Sequence, residues 1–517
     1  MSGGLSPQVA VLMQAVATAL QAGDEAGAET ALRQLVAENP RQAEAWHMLA
    51  GLVIRAGHGV EAIDYARRAH ELDRRNPLYL NTLGIAYGEA QQFDEGMRCF
   101  KRALKERPDR ADSHHNLGKA YLKLGDLAEG ERCFVRARQL NPESAEIANS
   151  LAALYSNQGR YGDAWPLLAQ ARARAPDNEI LAVNAVLAAH AVSGPDAAIR
   201  ELEEFVRRQP ESLPAREELA MRLLAEGRFA EGWREYACRR TRPSAPRAPD
   251  LLGRRVLLLQ EQGLGDHLFF LRFAPLLRER ATRVAFECPA KLAPLLEGNG
   301  IVDLAGAAPN MPGDFDVALP LGDLPEMLES WNTPPAFPIA PRRGAEWRER
   351  LAALGPGPYV GVTWRAGTKP AYAAEFAARG TGVLSREVPL EVLATALRGW
   401  RGTILVLQRL PLAGELEIFS KALGRRAHDL SSLNEDLDAM AAVLSVVDDY
   451  VGVSNTNMHI CAGLGKTARV LVPFPPEFRW MSSGERSPWF PGFPLYRQPP
   501  GRGWQPVLDS LAKDLTY

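Results

Sequence analysis

The sequence has few cysteines and no long apolar run. Five cysteines occur in 517 residues, with no Cys-x-x-Cys pair among them, which argues against a disulfide framework and against a zinc ribbon. No stretch of eighteen uninterrupted apolar residues is present, so no transmembrane helix is expected. The first residues, Met1-Ser2-Gly3-Gly4, lack the basic region of a secretory signal peptide. Together these absences predict a cytoplasmic protein.

The chain also has almost no net charge. Its formal charge of −2 argues against nucleic-acid binding by bulk electrostatics. With 46% hydrophobic and 24% charged residues, the composition is that of an ordinary globular protein. A length of 517 residues exceeds what one core normally organises, so two or three domains are expected.

A period of 34 residues organises the first half of the chain. Two residue types keep this register, namely Leu49, Leu83, Leu117, Leu151 and Leu219, and Pro40, Pro108, Pro142, Pro176 and Pro210. This period is typical of the tetratricopeptide repeat (TPR), a helical hairpin that buries its apolar face only by stacking on a neighbour. We count about seven units over residues 7–240, which predict an α-solenoid whose concave surface binds a protein or peptide. Cys99 and Cys133 fall at equivalent repeat positions, where buried thiols are expected.

A different pattern begins after a proline-rich linker at residues 241–253. Short apolar runs that suit buried parallel strands alternate with helical segments. We expect strands near residues 256–259, 284–286, 315–319, 359–364, 403–407, 449–453 and 468–472, and helices near 268–277, 390–397, 436–446 and 458–464. This order predicts two Rossmann-like α/β domains, at 254–345 and 346–517, with ligands beyond the carboxyl ends of the strands.

The loop after the first of these strands reads Glu261-Gln262-Gly263-Leu264-Gly265-Asp266. Its glycines permit a tight turn and close backbone approach, but it is neither Gly-x-Gly-x-x-Gly nor a Walker motif, so a dinucleotide or ATP site is not supported. Two compatible roles fit Asp266. Its carboxylate can satisfy free amides at the helix N-terminus, or it can project into the cleft as a general base that takes a proton from an acceptor hydroxyl.

A second loop, Trp364-Arg365-Ala366-Gly367-Thr368-Lys369, is basic, and further cations follow at Arg379 and Arg386. Cations beside a strand terminus can hold a diphosphate, which Arg binds in bidentate fashion and Lys as a point charge. Among the later cations Arg386 is the preferred phosphate ligand, because a helix starts just after it. Solvated surface charge is the alternative for each of these side chains.

The third loop follows the strand near 449–453 and reads Ser454-Asn455-Thr456-Asn457-Met458-His459. The amides at the start of the next helix, with the hydroxyls of Ser454 and Thr456, predict a cradle for phosphate. For His459 a capping or packing role is the alternative. Asp448 and Asp449 stand at the start of the strand, away from the ligand end, so we interpret them as solvated charges rather than metal ligands.

Taken together, these loops resemble those of the heptosyltransferase-like glycosyltransferases of family 9, in the subgroup with N-terminal TPR units. The resemblance covers nearly all of residues 254–515. It rests on the Gly263-Leu264-Gly265-Asp266 loop, on Val362-Thr363-Trp364, and on Asn455-Thr456-Asn457-Met458-His459, where the family usually has Asp-Thr followed by a His. The segments at 475–480, 487–491 and 496–498 are typical of the repeat-bearing subgroup.

The resemblance implies a GT-B fold and an inverting transfer of a sugar from a nucleotide-diphosphate donor to an acceptor hydroxyl, without a metal or other cofactor. It makes Asp266 the catalytic base, with Gly263 and Gly265 in the acceptor-side loop. We assign donor binding to residues of the basic loop, the phosphate cradle and the positions that the resemblance suggests. They are Trp364, Arg365, Lys369, Arg386, Ser454, Asn455, Thr456, Asn457, Met458 and His459. Asn455 departs from the family pattern, so the contact that a carboxylate makes there is altered or is made by the amide.

Two alternatives stay open. The chain can be a TPR scaffold whose C-terminal domain binds a nucleotide or partner without turnover, and the altered Asn455 favours that interpretation. It can also work like the O-linked N-acetylglucosaminyltransferases, which join TPR units to a GT-B domain and act on polypeptides. Donor, acceptor and oligomeric state cannot be derived from the loops.

Overall fold

The computed structural model describes residues 7–239, 250–260, 263–307, 314–329, 334–366, 387–501 and 503–515. The chain forms two compact units, one of Met1–Tyr155 with Pro166–Ala175, the other of Ser156–Trp165 with Pro176–Tyr517. The division falls inside the repeat array. Part of the linker predicted at 241–253 lies outside the described residues, so the predicted domain boundaries stay a prediction. Among the described residues, no helix is both long enough and apolar enough to span a bilayer.

Fourteen helices follow one another over the described residues 7–236. They are α1 (Pro7–Gln21), α2 (Glu25–Glu38), α3 (Ala43–Arg55), α4 (Gly59–Leu72), α5 (Pro77–Glu89), α6 (Phe93–Glu106), α7 (Ala111–Lys123), α8 (Leu127–Leu140), α9 (Ala145–Asn157), α10 (Tyr161–Arg174), α11 (Glu179–Ser193), α12 (Pro195–Arg208), α13 (Leu213–Ala225) and α14 (Phe229–Tyr236). Successive helices pack on each other in pairs, namely α1 on α2, α3 on α4, α5 on α6, α7 on α8, α11 on α12 and α13 on α14. The TPR solenoid is therefore confirmed.

The repeat register has a local physical cause at each turn and crossing. The turn within a hairpin places a residue at positive φ, as at Gly57 (82°) and Gly125 (83°), a conformation that glycine adopts without steric cost. At the helix crossing, a methyl group on Gly84 would stand 2.5 Å from the ring of Phe100. Cys99 and Cys133 are buried thiols, as the repeat positions predicted.

The second unit contains a four-stranded parallel sheet in the order β3-β2-β1-β4. Its strands are β1 (Arg255–Leu259), β2 (Arg283–Glu287), β3 (Leu304–Gly306) and β4 (Val317–Pro320). Short helices follow three of these strands, namely α15 (Leu264–Phe270) and α16 (Ala274–Arg278) after β1, α17 (Ala293–Leu296) after β2 and α18 (Leu324–Met327) after β4. The single helix predicted at 268–277 is in fact α15, a 3-10 turn at Leu271–Phe273 and α16.

A six-stranded parallel sheet follows, in the order β10-β9-β8-β5-β6-β7. Its strands are β5 (Tyr359–Val362), β6 (Thr403–Val406), β7 (His428–Asp429), β8 (Asp449–Val453), β9 (Arg469–Val472) and β10 (Leu495–Arg497). The helices are α19 (Gly344–Leu354), α20 (Leu390–Ala396), α21 (Glu415–Leu423), α22 (Leu437–Val446), α23 (Thr456–Gly463) and α24 (Gln505–Asp514). The sequence predicted the inner strands, but not β3, β7 or β10, which have three residues or fewer.

The last repeat shares its core with the first sheet. Trp233 of α14 is 1% exposed, and its indole lies 5.9 Å from the ring of Phe270 and 5.6 Å from that of Phe478. Just beyond α14, Arg239 forms a fully buried ion pair of 2.7 Å with Asp323. A buried pair of this kind fixes geometry, because removing either partner strands the other charge. The terminal repeat is therefore built into the α/β part of the second unit.

We expect Trp233→Ala to lower the free energy of unfolding by about 3–5 kcal/mol, because a buried indole is replaced by a cavity. Urea denaturation measures this loss. Trp46→Ala is the matched control, since Trp46 is partly exposed in the first unit and should cost less. Equal losses for the two variants would contradict the shared core.

Candidate functional site

A cavity of about 330 Å³ lies between the two sheets of the second unit. Its wall comes from residues 263–266 after β1, the ends of β5 and β6, the loop at 454–457 with His459, and the pair Glu477 and Arg479. The first and third predicted loops therefore meet at one site. This is where the rule for parallel sheets places ligands, at the carboxyl ends of strands.

Asp266 lies on the cavity wall, on the first turn of α15. One carboxylate oxygen accepts a hydrogen bond of 3.0 Å from the backbone N–H of Gly263, which is the helix-terminus role expected from the sequence. The other oxygen forms an ion pair with the guanidinium of Arg479. The side chain is 23% exposed, so it also reaches the cavity, and its role as a general base stays a prediction.

Gly263 and Gly265 keep this side of the cavity free of side chains. A methyl group at Gly265 would lie 3.5 Å from the imidazole Nε2 of His459 and 3.8 Å from the amide of Thr456. At Gly263 it would lie 3.5 Å from the carboxylate of Asp266. These are ordinary contact distances, so the glycines leave space for a ligand rather than relieve a clash.

Arg479 is the central cation of the site, and the sequence did not predict it. Its guanidinium pairs with Asp266 and, at 3.3 Å, with Glu477, while Glu477 accepts a 3.1 Å hydrogen bond from the hydroxyl of Ser454. Burial opposes the charge, but the two carboxylates hold the pKa of Arg479 above its ordinary value. Arg479 thus connects the loop after β1 with the loop after β8.

Asn455 caps the start of α23 and is half-buried on the cavity wall. Its side-chain oxygen accepts a hydrogen bond of 3.0 Å from the amide of Asn457, and its side-chain nitrogen donates to the hydroxyls of Thr363 (2.8 Å) and Tyr450 (2.9 Å). Asn457 is buried and also donates to Tyr450. An amide can cap a helix and donate at once, whereas a carboxylate only accepts. Asn455 therefore shapes the start of α23, and the N–H of Thr456, in the first turn, has no partner within the helix.

His459 lies beneath this helix start and is 5% exposed. Its ring meets those of Phe490 at 5.2 Å and Phe269 at 6.2 Å. Burial first, then the positive charges of Arg479 and Arg272, lower the pKa of His459 well below its ordinary value. The imidazole is therefore neutral at neutral pH. The ring is packed in the core, which is the alternative role given above for His459, and it also lines the cavity.

Arg365 lines the cavity but is already neutralised. Its guanidinium forms a bidentate pair with Glu415 at 2.6 and 3.2 Å, and a further contact with Glu387 at 3.3 Å. It also donates to the backbone carbonyl of Leu410 at 3.3 Å. An anion would have to compete with two carboxylates, so Arg365 shapes the loop after β6 rather than offering a free charge.

Arg409 is the cation that this loop presents to the cavity, and the sequence did not single it out. It is exposed on the cavity wall and has no ion pair with any residue that the structure describes. The neighbouring Leu410 has φ of +47°, a strained conformation for a side-chain-bearing residue. Gln408, fully buried, holds the loop by hydrogen bonds to the backbones of Trp364, Arg365 and Arg409.

Two predicted donor ligands belong to the core instead of the cavity wall. Trp364 is 0% exposed and stacks on Phe419 at 5.5 Å. Met458 is likewise 0% exposed. Both side chains are apolar, and burial outweighs any role in ligand contact. Lys369, Arg379 and Arg386 lie outside the described residues, so their predicted roles stay predictions.

The paired aspartates away from the cavity are structural. Asp448 accepts a hydrogen bond from the N–H of Tyr359, and Asp449 pairs with Arg469, so they are bonded rather than simply solvated. An Asp-x-Asp triplet at Asp314 and Asp316 pairs with Arg255 at the start of β1. A second triplet starts with Asp436, which caps α22. All of these lie outside the cavity wall.

Comparison with known proteins supports the repeats. Two tetratricopeptide-repeat family models match residues 14–77 and 89–154. Protein FlbA of Caulobacter vibrioides is 27% identical over 368 residues, 62% of this chain and 58% of that protein. The chain therefore spans less than two thirds of this curated relative.

Solved structures of repeat proteins also align with part of the chain. PilF of Pseudomonas aeruginosa is 23% identical with a TM-score of 0.35, over 41% of this chain and 96% of PilF. A TPR protein of Thermus thermophilus is 23% identical with a TM-score of 0.33, over 35% of this chain and 98% of that one.

His267, next to Asp266, predicts a pH dependence of stability. Burial lowers the pKa of His267 to about 4, although the charge of Asp266 opposes this. As the pH falls below about 6.5, the unfolded state binds the proton first, so stability present above that pH is lost toward pH 4. We expect His267→Gln to reduce the loss between pH 6.5 and 4 by roughly 3 kcal/mol, measured by urea denaturation at several pH values. His58→Gln, at an exposed histidine, is the control, and an identical slope in both variants would exclude the assignment.

Proposed function

We propose that this chain is a glycosyltransferase of the GT-B type that moves a sugar from a nucleotide-diphosphate donor to an acceptor hydroxyl. One observation carries the proposal most strongly. A single cavity has a carboxylate from the first sheet, Asp266, and a helix N-terminus from the second sheet, that of α23, on its wall. Such a pairing of a base with an anion-binding site suits transfer from a phosphorylated leaving group.

The donor would bind on the side of the second sheet. The N–H groups in the first turn of α23 point toward a ligand, and the helix dipole favours negative charge there. Arg409 adds a cation that no described carboxylate neutralises, and Thr456 also lines the cavity wall. A diphosphate therefore has donors on two sides, which would stabilise charge on the leaving group as it departs.

The chemical step follows from this arrangement. The acceptor oxygen attacks the anomeric carbon on the face opposite the phosphate, while its proton passes to Asp266. The bond between the anomeric carbon and the phosphate oxygen breaks, and its electron pair leaves with the nucleoside diphosphate. Attack from the opposite face inverts the configuration at the anomeric carbon. In the balance of the reaction, one new glycosidic bond replaces one glycosyl phosphate bond.

The acceptor we favour is a polypeptide bound by the repeats. TPR units are protein-binding elements, and the terminal repeat is continuous with the core that holds Asp266. The same architecture leaves open the alternative that the chain works like the O-linked N-acetylglucosaminyltransferases. In that alternative the acceptor is also a protein side chain. Mass spectrometry of the proteins in cells with and without the gene tests this, and an unchanged set of glycopeptides would count against it.

A second function, a scaffold without turnover, is favoured by a specific observation. Both Asp266 and Arg365 are engaged in ion pairs within the chain, as in a structural site. A panel of sugar nucleotides separates the two functions. Binding without release of the nucleotide would favour the scaffold, whereas release that depends on Asp266 supports the enzyme.

We expect Asp266→Asn to lower the turnover number by about 10²–10⁴ while donor affinity changes little, because the amide cannot accept the proton. Nucleotide release by the full chain gives turnover, and calorimetric titration of the donor gives affinity. Asp316→Asn is the matched control at the far end of the first sheet. Turnover unchanged in Asp266→Asn would reject this residue as the base.

We expect Arg409→Gln to weaken donor binding about tenfold or more, since a charge-assisted hydrogen bond is worth roughly 1.5–3 kcal/mol. Arg401→Gln is a matched control, because Arg401 is exposed just before the amino end of β6 whereas Arg409 follows its carboxyl end. Titration of both variants with the donor and with the unphosphorylated nucleoside isolates the phosphate contribution. Equal affinity of the two variants for the donor would contradict the assignment.

A further inference from the structure

The segment at residues 474–482, which we name the strap, lies between the cavity and the repeat helices of the second unit. It follows β9 and includes a 3-10 turn at Phe478–Trp480. Two of its side chains, Glu477 and Arg479, line the cavity. Others face the repeats, so the strap contacts both parts of the unit at once.

On the repeat side the strap is held at three places. The ring of Phe474 lies 5.5 Å from Tyr161 and 5.1 Å from His190, which belong to α10 and α11. The ring of Phe478 lies 5.6 Å from Trp233 of α14. Backbone pairing completes the attachment, because the N–H of Ser482 donates to the carbonyl of Ala225 at 2.9 Å.

On the cavity side these contacts continue to Asp266. The guanidinium of Arg479 lies over the rings of Phe269 and Phe478, at 4.6 and 4.9 Å. Trp233 touches both rings, at 6.5 Å from Phe269 and 5.6 Å from Phe478. One continuous series of contacts therefore leads from the last repeat to the cavity. It runs from the indole of Trp233 through the rings of Phe269 and Phe478 to the guanidinium of Arg479 and the carboxylate of Asp266.

We propose that Arg479 is a positioning residue for Asp266, and that the terminal repeats set its position through the strap. The inference deepens the proposed function, on which its catalytic readout rests. Its physical basis is that a buried guanidinium moves only with its partners. A shift of the strap relative to α10, α11 or α14 changes the direction of the carboxylate, so a polypeptide that engages the terminal repeats acts on the same carboxylate.

Phe474→Ala tests the strap at a residue that does not line the cavity. We expect hydrogen exchange in the peptides covering 263–270 and 474–482 to accelerate about tenfold, because two ring contacts are lost. With turnover as the readout, kcat should fall about fivefold or more, while the donor KM stays within twofold. Phe474→Leu, which keeps an apolar side chain, should show the same changes to a smaller degree and covers the case in which the alanine variant fails to fold.

Phe134→Ala is the matched control. Phe134 is 1% exposed and packs within the first unit, so the variant removes a repeat phenyl ring without touching the strap. It should leave exchange at 263–270 and kcat as in the wild type. If Phe134→Ala reproduces the effects of Phe474→Ala, or if exchange at 263–270 is unchanged in both Phe474 variants, the proposal is wrong.

A double-mutant cycle tests the pairing itself. If Arg479 acts through Asp266, then Arg479→Met and Asp266→Asn combined should lower the melting temperature by less than the sum of the single losses, because each single change leaves the remaining charge without its partner. Arg479→Lys should restore part of the turnover lost in Arg479→Met. Additive losses with no rescue by lysine would overturn the positioning role. Hydrogen exchange and melting temperature are measured without substrate. These two measurements therefore test the positioning role even if the protein does not catalyse the proposed sugar transfer.

Discussion

The site depends on one partly buried ion pair, between Asp266 and Arg479. A guanidinium removed from water loses several kcal/mol of solvation, so it persists only where partners replace the water. Here the replacements are the carboxylates of Asp266 and Glu477 and the faces of two phenyl rings. The pair also fixes the direction of the Asp266 side chain without closing it off, because the carboxylate still reaches the cavity.

This constraint explains why the last repeat is fused to the α/β sheets. The phenyl rings that contact Arg479 must themselves be packed on their other side. Trp233 of α14 makes that contact. The buried pair of Arg239 and Asp323 then fixes the end of α14 to the first sheet. A solenoid joined by a loose linker would leave the strap exposed on one side.

The sequence predicted what local patterns determine. The 34-residue period gave the solenoid, and the apolar runs gave the inner strands of both sheets, because burial on two faces produces continuous apolar sequence. Asp266 and the helix start at Thr456 were found since both directly follow strands. Arg479 was not, because its partner is 213 residues away and only the packed fold brings the two together. Trp364 was assigned to the donor from its place in a motif, whereas its stacking on Phe419 depends on a helix that follows about fifty residues later.

The two arginines of the second sheet show why charge alone could not locate the anion site that we propose. Arg365 and Arg409 both lie beyond the ends of neighbouring strands and both line the cavity. Arg365 is 7% exposed and bound to Glu415 and Glu387, so its field is cancelled within a few ångströms. Arg409 is exposed and has no such partner in the described part of the chain. An incoming anion gains the most electrostatic free energy beside a positive charge that no carboxylate already compensates. Arg365 therefore contributes by holding the loop that presents Arg409 to the cavity.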